Sequence, residues 1–390
     1  MVFKINKISF ILLSIYLISF DTSSQTYFNR TYDILNETNL AGPLIELKDG
    51  YITAGFISLI DRVAITLIKL DLKGDTIWTK IYGEAPKILV PVNLFLLQDS
   101  SLIVFGNILD TTGAKPDFLL AKFDQNGNFL WSKRYGGKEQ NILRDGIRTI
   151  DGGYFLVGGA DTIGATGQID CYVVKIDNVG NIEWEHRYGK NGFDEAYSVI
   201  QTKNNGYIIS GVSNSFNTNY DAYLVKTDSL GNIIWEKTYG NTSQDDSKAS
   251  ITKLADGNYI ITSGLRTNSS YKKVYLAKID SNGIIIWDNY YQPRNYSSFA
   301  GNEPTENTDG TLIIGGFVKN NLNNPVGWLL KVNSVGDTIW SKEYFVRKDK
   351  SNYINNIKPT SDSGYIFCGE AWNNTKDLWV VKVDSNGCFG

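Results

Sequence analysis

The sequence predicts an all-β protein in which one four-stranded antiparallel unit recurs seven times, and three observations carry that expectation. The first is a repeat of Gly, three residues, Trp, then Tyr four positions later. It occurs at Gly74, Trp78 and Tyr82; at Gly127, Trp131 and Tyr135; at Gly180, Trp184 and Tyr188; and at Gly231, Trp235 and Tyr239. Two further copies stand at Gly283, Trp287 and Tyr291 and at Gly336, Trp340 and Tyr344. Successive tryptophans lie 53, 53, 51, 52 and 53 residues apart, a fixed period of the kind that marks repeat architectures. The second observation is a turn ending at each of these glycines, opened by Asp71, Asp124, Asp177, Asp228, Asp280 and Asn333, with a seventh from Asp384 to Gly387. The third is that the two ends of the chain complement each other, as argued below.

Each unit reads as four short strands, and the fourth copy shows how. Ser198 to Thr202 is an apolar-rich run, Asn204-Asn205-Gly206 is a turn, and Tyr207 to Gly211 is the next run. After a polar loop come Ala222 to Thr227, the turn Asp228 to Gly231, and Ile233 to Tyr239. The Asp opening that turn accepts bonds from backbone amides ahead of it, and Gly takes the left-handed conformation that a short hairpin loop requires. Runs such as Tyr172-Val173-Val174 and Trp379-Val380-Val381 are continuously apolar, as strands buried on both faces are.

Seven turns but six tryptophans leave the last unit one strand short. Phe28-Asn29-Arg30-Thr31-Tyr32 supplies it, matching Trp235-Glu236-Lys237-Thr238-Tyr239 with Phe for Trp and Tyr in register. An amino-terminal strand that completes the carboxy-terminal sheet hides the edges of a circular array, whereas an open solenoid gains nothing from it. The expected fold is therefore a seven-bladed β-propeller of four antiparallel strands per blade over residues 25–390, closed by the N-terminal strand. On this reading Trp78, Trp131, Trp184, Trp235, Trp287 and Trp340 are structural repeat positions, packing between adjacent blades rather than forming a sugar platform.

Composition agrees. Of 390 residues 42% are hydrophobic and 20% charged, and 37 Gly, 23 Tyr and 9 Trp against one Met favour strands and turns. Charges nearly cancel at 38 basic to 41 acidic with no basic cluster, which argues against nucleic acid as a partner. Lys4 and Lys7 precede an apolar run from Ile8 to Phe20, so residues 1–24 read as a secretory signal cleaved between Ser24 and Gln25. Such a run is too short to span a bilayer core of about 30 Å. No later segment is long and apolar enough either, so no transmembrane segment is expected after cleavage. The expected location is outside the cytoplasm, secreted or associated with the periplasm or outer envelope.

The Asp-x-x-Gly-x-x-x-Trp hairpin resembles the tryptophan-docking repeats of pyrroloquinoline-quinone-type propellers. The whole unit, with turns such as Asp151-Gly152-Gly153-Tyr154, is similar to secreted bacterial β-propeller repeat proteins. The resemblance covers roughly residues 26 to 390 and implies fold more than function, because the recurring residues are structural. Many such exported chains also carry a carboxy-terminal sorting domain after the propeller, which is not found before Gly390. The sialidase Asp-box has different gaps, and the Gly-His and Trp-Asp pairs of WD repeats are absent.

Catalytic motifs are sparse. Quinoprotein dehydrogenases of the resembling type typically carry adjacent cysteines beside the cofactor, and Cys171, Cys368 and Cys388 are far apart. No cofactor is expected. No CxxC occurs and the only histidine is His186, so neither a zinc motif nor a histidine-based triad is indicated. His186 falls two residues after Trp184, in a slot held elsewhere by Lys80, Lys133, Lys237, Asn289 and Lys342, which marks a structural edge position. Lys69, Lys122, Lys175, Lys226, Lys278, Lys331 and Lys382 recur on the third strands, where apolar stems lie over the blade and the ammonium reaches solvent or a carboxylate.

What varies is the opposite face, with loops Asp161 to Gly167, Ser213 to Tyr220 and Lys319 to Gly327 and the acidic pairs Asp194-Glu195 and Asp245-Asp246, read as solvated surface. The function expected is a non-enzymatic binding scaffold for a protein or glycan at the cell envelope. The alternative is a propeller enzyme, a quinoprotein-like oxidoreductase or a carbohydrate-active hydrolase or lyase, for which two carboxylates about 5 to 10 Å apart in the channel mouth would be the sign.

Overall fold

A computed structural model of the chain describes residues 26–110, 115–137, 139–161, 168–217, 219–240, 245–246, 248–266, 272–292, 298–299, 303–320, 322–372 and 375–389. The expected signal, residues 1–24, lies outside them, as does the loop Asp161 to Gly167 except for Asp161 itself. Among the described residues there is no helix, and none long and apolar enough to cross a membrane. Among these residues every strand pairing is antiparallel except a single parallel bridge between Val63 and Ile88.

The strands fall into seven consecutive four-stranded units. Unit 4 runs Asp194–Gln201, Tyr207–Ser213, Asp221–Thr227 and Ile233–Tyr239, each strand paired with the next. Units 1 and 2, Asn39–Leu47 to Thr76–Tyr82 and Lys87–Leu96 to Phe129–Tyr135, are linked in one sheet by the Val63 bridge, and units 3 and 5 run Asn141–Arg148 to Ile182–Tyr188 and Ser250–Lys253 to Ile285–Tyr291. In unit 6 the first strand is broken into Ser298–Phe299 and Thr305–Glu306. Unit 7 consists of Asn352–Pro359, Tyr365–Trp372 and Lys376–Val383, and its fourth strand is Phe28–Tyr32 from the other end of the chain. Phe28 pairs with Lys382 and Tyr32 with Leu378, in the antiparallel sense the sequence match requires.

Hydrophobic cores form between units rather than within them, because both faces of each sheet are apolar. One core takes Ile208 and Leu224 from unit 4 and Ile251 and Tyr275 from unit 5, and each further core likewise spans two consecutive units. A seventh joins the last unit to the first, placing Phe28, Ile366, Leu378 and Val380 against Leu44, Tyr51 and Ile68.

The repeated motif is an inter-unit clasp. A Cβ on Gly283 of unit 5 would lie 3.1 Å from the Trp235 ring and 2.6 Å from the Tyr239 hydroxyl of unit 4, and its φ is +72°. Only glycine meets both demands, the left-handed backbone and the close ring. Tyr239 Oη donates to the Gly283 carbonyl at 2.8 Å. Tyr135, Tyr188 and Tyr344 do the same to Gly180, Gly231 and Gly387 at 2.9, 2.8 and 2.7 Å, and Tyr291 to Gly336. Tyr32 donates to Gly74 of unit 1 at 2.7 Å while the Phe28 ring covers that glycine. Tyr82 departs from this pattern and stacks on Phe129 at 4.2 Å. The six tryptophans are half-buried on the outer strands, each against the core shared with the next unit.

The recurring polar positions are structural too. Lys69, Lys278 and Lys382 pair with Asp49, Asp256 and Asp362 at 2.7, 2.7 and 2.8 Å, each tying a third strand to the first turn of its own unit. His186 Nε2 lies 3.0 Å from the Leu230 carbonyl, as Lys133 Nζ lies 2.7 Å from that of Val179. Cys171 and Cys368 are buried, Cys388 is exposed, and all three are free thiols.

Candidate functional site

The first strands of all seven units surround two adjoining cavities. One, of about 330 Å³, is lined by residues of units 2 to 7, including Asn93, Arg144, Asp145, Tyr197, Lys248, Glu303 and Asn356. The other, of about 500 Å³, is lined by units 1, 2, 3, 5, 6 and 7, with Pro43, Pro91, Val92, Arg144, Lys248, Phe317 and Asn355 among them. Val92, Arg144, Lys248, Asn355 and Asn356 line both, so the two are adjoining parts of one channel.

A β-bulge at one level of the first strands fills this channel with side chains. The register shifts between Ala41 and Leu44, Pro91 and Asn93, Leu143 and Asp145, Ala196 and Ser198, and Ile354 and Asn356. The extra residues are therefore Gly42 with Pro43, Val92, Arg144, Tyr197 and Asn355, and a bulge re-aims the residue it adds. In unit 5 the ladder is interrupted at the same level, between the isolated bridge at Asp246 and the strand beginning at Ser250, where Lys248 stands.

Arg144 Nε donates to Glu195 at 2.8 Å, the other Glu195 oxygen accepts from Tyr197 at 2.6 Å, and the guanidinium lies 5.2 Å from the Tyr197 ring centre. The Lys248 ammonium sits 5.9 Å from the same ring centre. Burial, then the Arg144 charge, pull the Lys248 pKa below its ordinary value. Asp145 ties four units together. It accepts from Asn93 at 2.5 Å, Gly146 at 2.7 Å and Val199 at 2.9 Å, and its carboxyl meets that of Glu303, which accepts from Ser198 at 2.8 Å. Burial and then the neighbouring Glu303 carboxyl push the Asp145 pKa well above its ordinary value.

These carboxyls touch, closer than the separation of about 5 to 10 Å at which glycosidases work. Among the described residues no group of three or more His, Cys, Asp or Glu side chains is placed to hold a metal ion.

Two expectations need correction. Asp194-Glu195 and Asp246 are not solvated surface: they are 0%, 2% and 5% exposed. Asp194 accepts from Ser213 and Ser215, both at 2.5 Å, and Glu195 serves Arg144 and Tyr197. The first strand of unit 4 also begins at Asp194, not Ser198, because the bulge at Tyr197 breaks the alternation that reveals a strand. Sequence reasoning missed the channel residues for the same reason, although Arg144, Tyr197 and Lys248 each stand thirteen residues after a repeat Trp.

No protein-family model matches the chain. Over an alignment of 169 positions that covers 39% of the chain, it is 24% identical to an uncharacterized WD repeat-containing protein of Acanthamoeba polyphaga mimivirus, and the chain spans only 12% of that protein's length. Among solved structures it is similar to the WD40 domain of Toxoplasma gondii coronin, at 8% identity and TM-score 0.56 over 93% of this chain and 87% of that one. It is also similar to a lectin of Burkholderia pseudomallei, at 10% identity and TM-score 0.54 over 90% and 97%. The β-propeller domain of the Trilobed protease of Pyrococcus furiosus follows, at 8% and 0.51 over 89% and 95%. At such identities the likeness is one of fold. Four-stranded antiparallel sheets, cores between successive units and these neighbours define the class as a β-propeller repeat protein.

Proposed function

We propose that the seven units close into a seven-bladed β-propeller, exported after loss of residues 1–24, which serves as a non-enzymatic binding scaffold for a glycan or protein at the cell envelope. Closure is supported by the core between units 7 and 1 and by the Phe28 and Tyr32 clasp on Gly74. The observation that carries the binding role is the channel, to whose wall bulges in five units bring Pro43, Val92, Arg144, Tyr197 and Asn355. Concave sites with a few convergent polar groups are where small ligands bind, and the amount of space suits a ligand of sugar size. A lectin is built on the same fold at 10% identity, which accords with the glycan reading.

The test is a glycan array probed with residues 25–390, followed by recovery and analysis of any captured glycan. The expected result is retention of one related set of glycans, recovered chemically unchanged. Cleavage or oxidation of the captured glycan would instead make the protein an enzyme. Failure to retain any glycan, with no saturable binding of purified envelope proteins, would remove the scaffold reading.

A further inference from the structure

The larger cavity has a one-sided charge. Of its lining residues only Arg144 and Lys248 are charged, and both are cationic. The acidic groups of the channel, Asp145 and Glu303, line the smaller cavity instead, where Lys358 accompanies them. Arg144 is held from behind: its Nε is spent on Glu195, itself nearly fully buried, and its Nη1 and Nη2 donate to no described residue. A guanidinium fixed by Nε, with its two outer nitrogens open to a cavity, is a fork for a planar or tetrahedral oxyanion. Lys248 adds a second charge near enough to be felt by Arg144.

The remaining wall is that of an organic ligand's site, not of a bare ion's. Pro43, Pro91, Val92, Phe317 and Ile354 supply apolar surface. Beside them Asn356 presents a side-chain oxygen that is buried and accepts no hydrogen bond. An acceptor left open in this way calls for a donor such as a hydroxyl, because leaving it unsatisfied is costly.

We propose that this cavity is a subsite for an acidic sugar, whose carboxylate or sulfate ester sits between Arg144 and Lys248 while a hydroxyl donates to Asn356. The inference rests on the binding reading above and names its ligand class. Low-dielectric walls strengthen the attraction, and the selectivity follows from two cations facing a space that no described carboxylate lines.

Titration calorimetry of residues 25–390 with D-galacturonate, galactose 6-sulfate and galactose tests it. The acidic sugars are expected to bind at least roughly tenfold more tightly than galactose, with the advantage shrinking as salt rises. Comparison of the carboxylate and sulfate arms identifies which acid group the site prefers. Lys248→Gln is expected to remove most of that advantage. Asn355→Asp, on an exposed side chain that lines both cavities, puts a negative charge into the site without touching the Glu195 contact and should act in the same direction. Galactose binding as tightly as the acidic sugars, or both variants leaving the preference intact, would overturn the inference while leaving a glycan-binding channel. Absence of binding by both acidic sugars would also overturn it, and the array result then decides separately whether the scaffold reading survives.

Discussion

Removing residues 25–34 is expected to lower the melting temperature by more than about 10 °C or to leave the protein aggregated. The segment completes unit 7, and its loss strips five residue pairs from Lys376–Val383. It takes with it the Phe28 ring, 6% exposed and packed on Tyr51, the Tyr32 bond to Gly74, and the Arg30 ion pair with Asp75. It also strands Trp379, whose indole nitrogen donates to Asn29 at 2.6 Å. A buried Phe side chain alone contributes about 1.5 to 3 kcal/mol by removal from water, and hydrogen bonds add about 1 kcal/mol each. The newly exposed Lys376–Val383 is an apolar edge, a template for pairing with another chain. Phe28→Ala isolates the packing term and should cost about 3 to 5 kcal/mol without freeing that edge. Differential scanning calorimetry with light scattering reads both effects. A truncated chain that melts like its parent would show that the terminal strand contributes nothing to closure.

Asp246→Asn is expected to stabilise the protein at pH 8 by about 1 to 3 kcal/mol and to change little at pH 4. Asp246 and Asp221 are buried side by side at the junction of units 4 and 5, with 5% and 2% of their surface exposed. Among the described residues neither oxygen of Asp246 and only one oxygen of Asp221 has a hydrogen-bond partner. Burial first, then the Asp221 charge, push the Asp246 pKa up to about 8. The native state therefore holds a proton that the unfolded chain releases near pH 4. Stability from this group is fully present below that pH and is lost as pH rises towards 8. The equivalent position of unit 3 shows the remedy. Asn141 donates to the unit 2 carboxylate Asp117 at 3.2 Å, and its own amide bonds the Pro116 carbonyl as that of Asp246 bonds Tyr220. Melting curves of both proteins from pH 4 to 8 are the measurement. A variant less stable than the parent at pH 8 would contradict the unpaired-carboxylate account.

The strand order, the unit length and the exchange of the terminal strand were legible because each depends on a residue type at a fixed spacing. Gly at the turn is needed twice over, for its left-handed backbone and for the aromatic ring above it, so the motif persists through every unit. Ile233–Tyr239 is found where its sequence places it, and Phe28–Tyr32 pairs as its match to that strand requires. The channel was not legible. Its side chains differ from unit to unit, and Arg144, Tyr197 and Asn355 reach it only because one bulged residue breaks the alternation of each first strand. Burial of Asp194, Glu195 and Asp246 was hidden for another reason. An acidic pair reads as solvated until its partners are known, and those of Glu195 are Arg144 of a different unit and the bulged Tyr197.

Closure of the chain on itself is tested most directly by amide hydrogen exchange of Leu378 to Lys382 in the intact protein. In a closed propeller this strand is interior to its sheet and should exchange as slowly as its counterpart Asp221–Thr227, becoming fast when residues 25–34 are removed. Exchange in the intact protein as fast as that of the outer strand Ile233–Tyr239 would mean that Phe28–Tyr32 does not hold the last sheet, and the closed ring would be wrong.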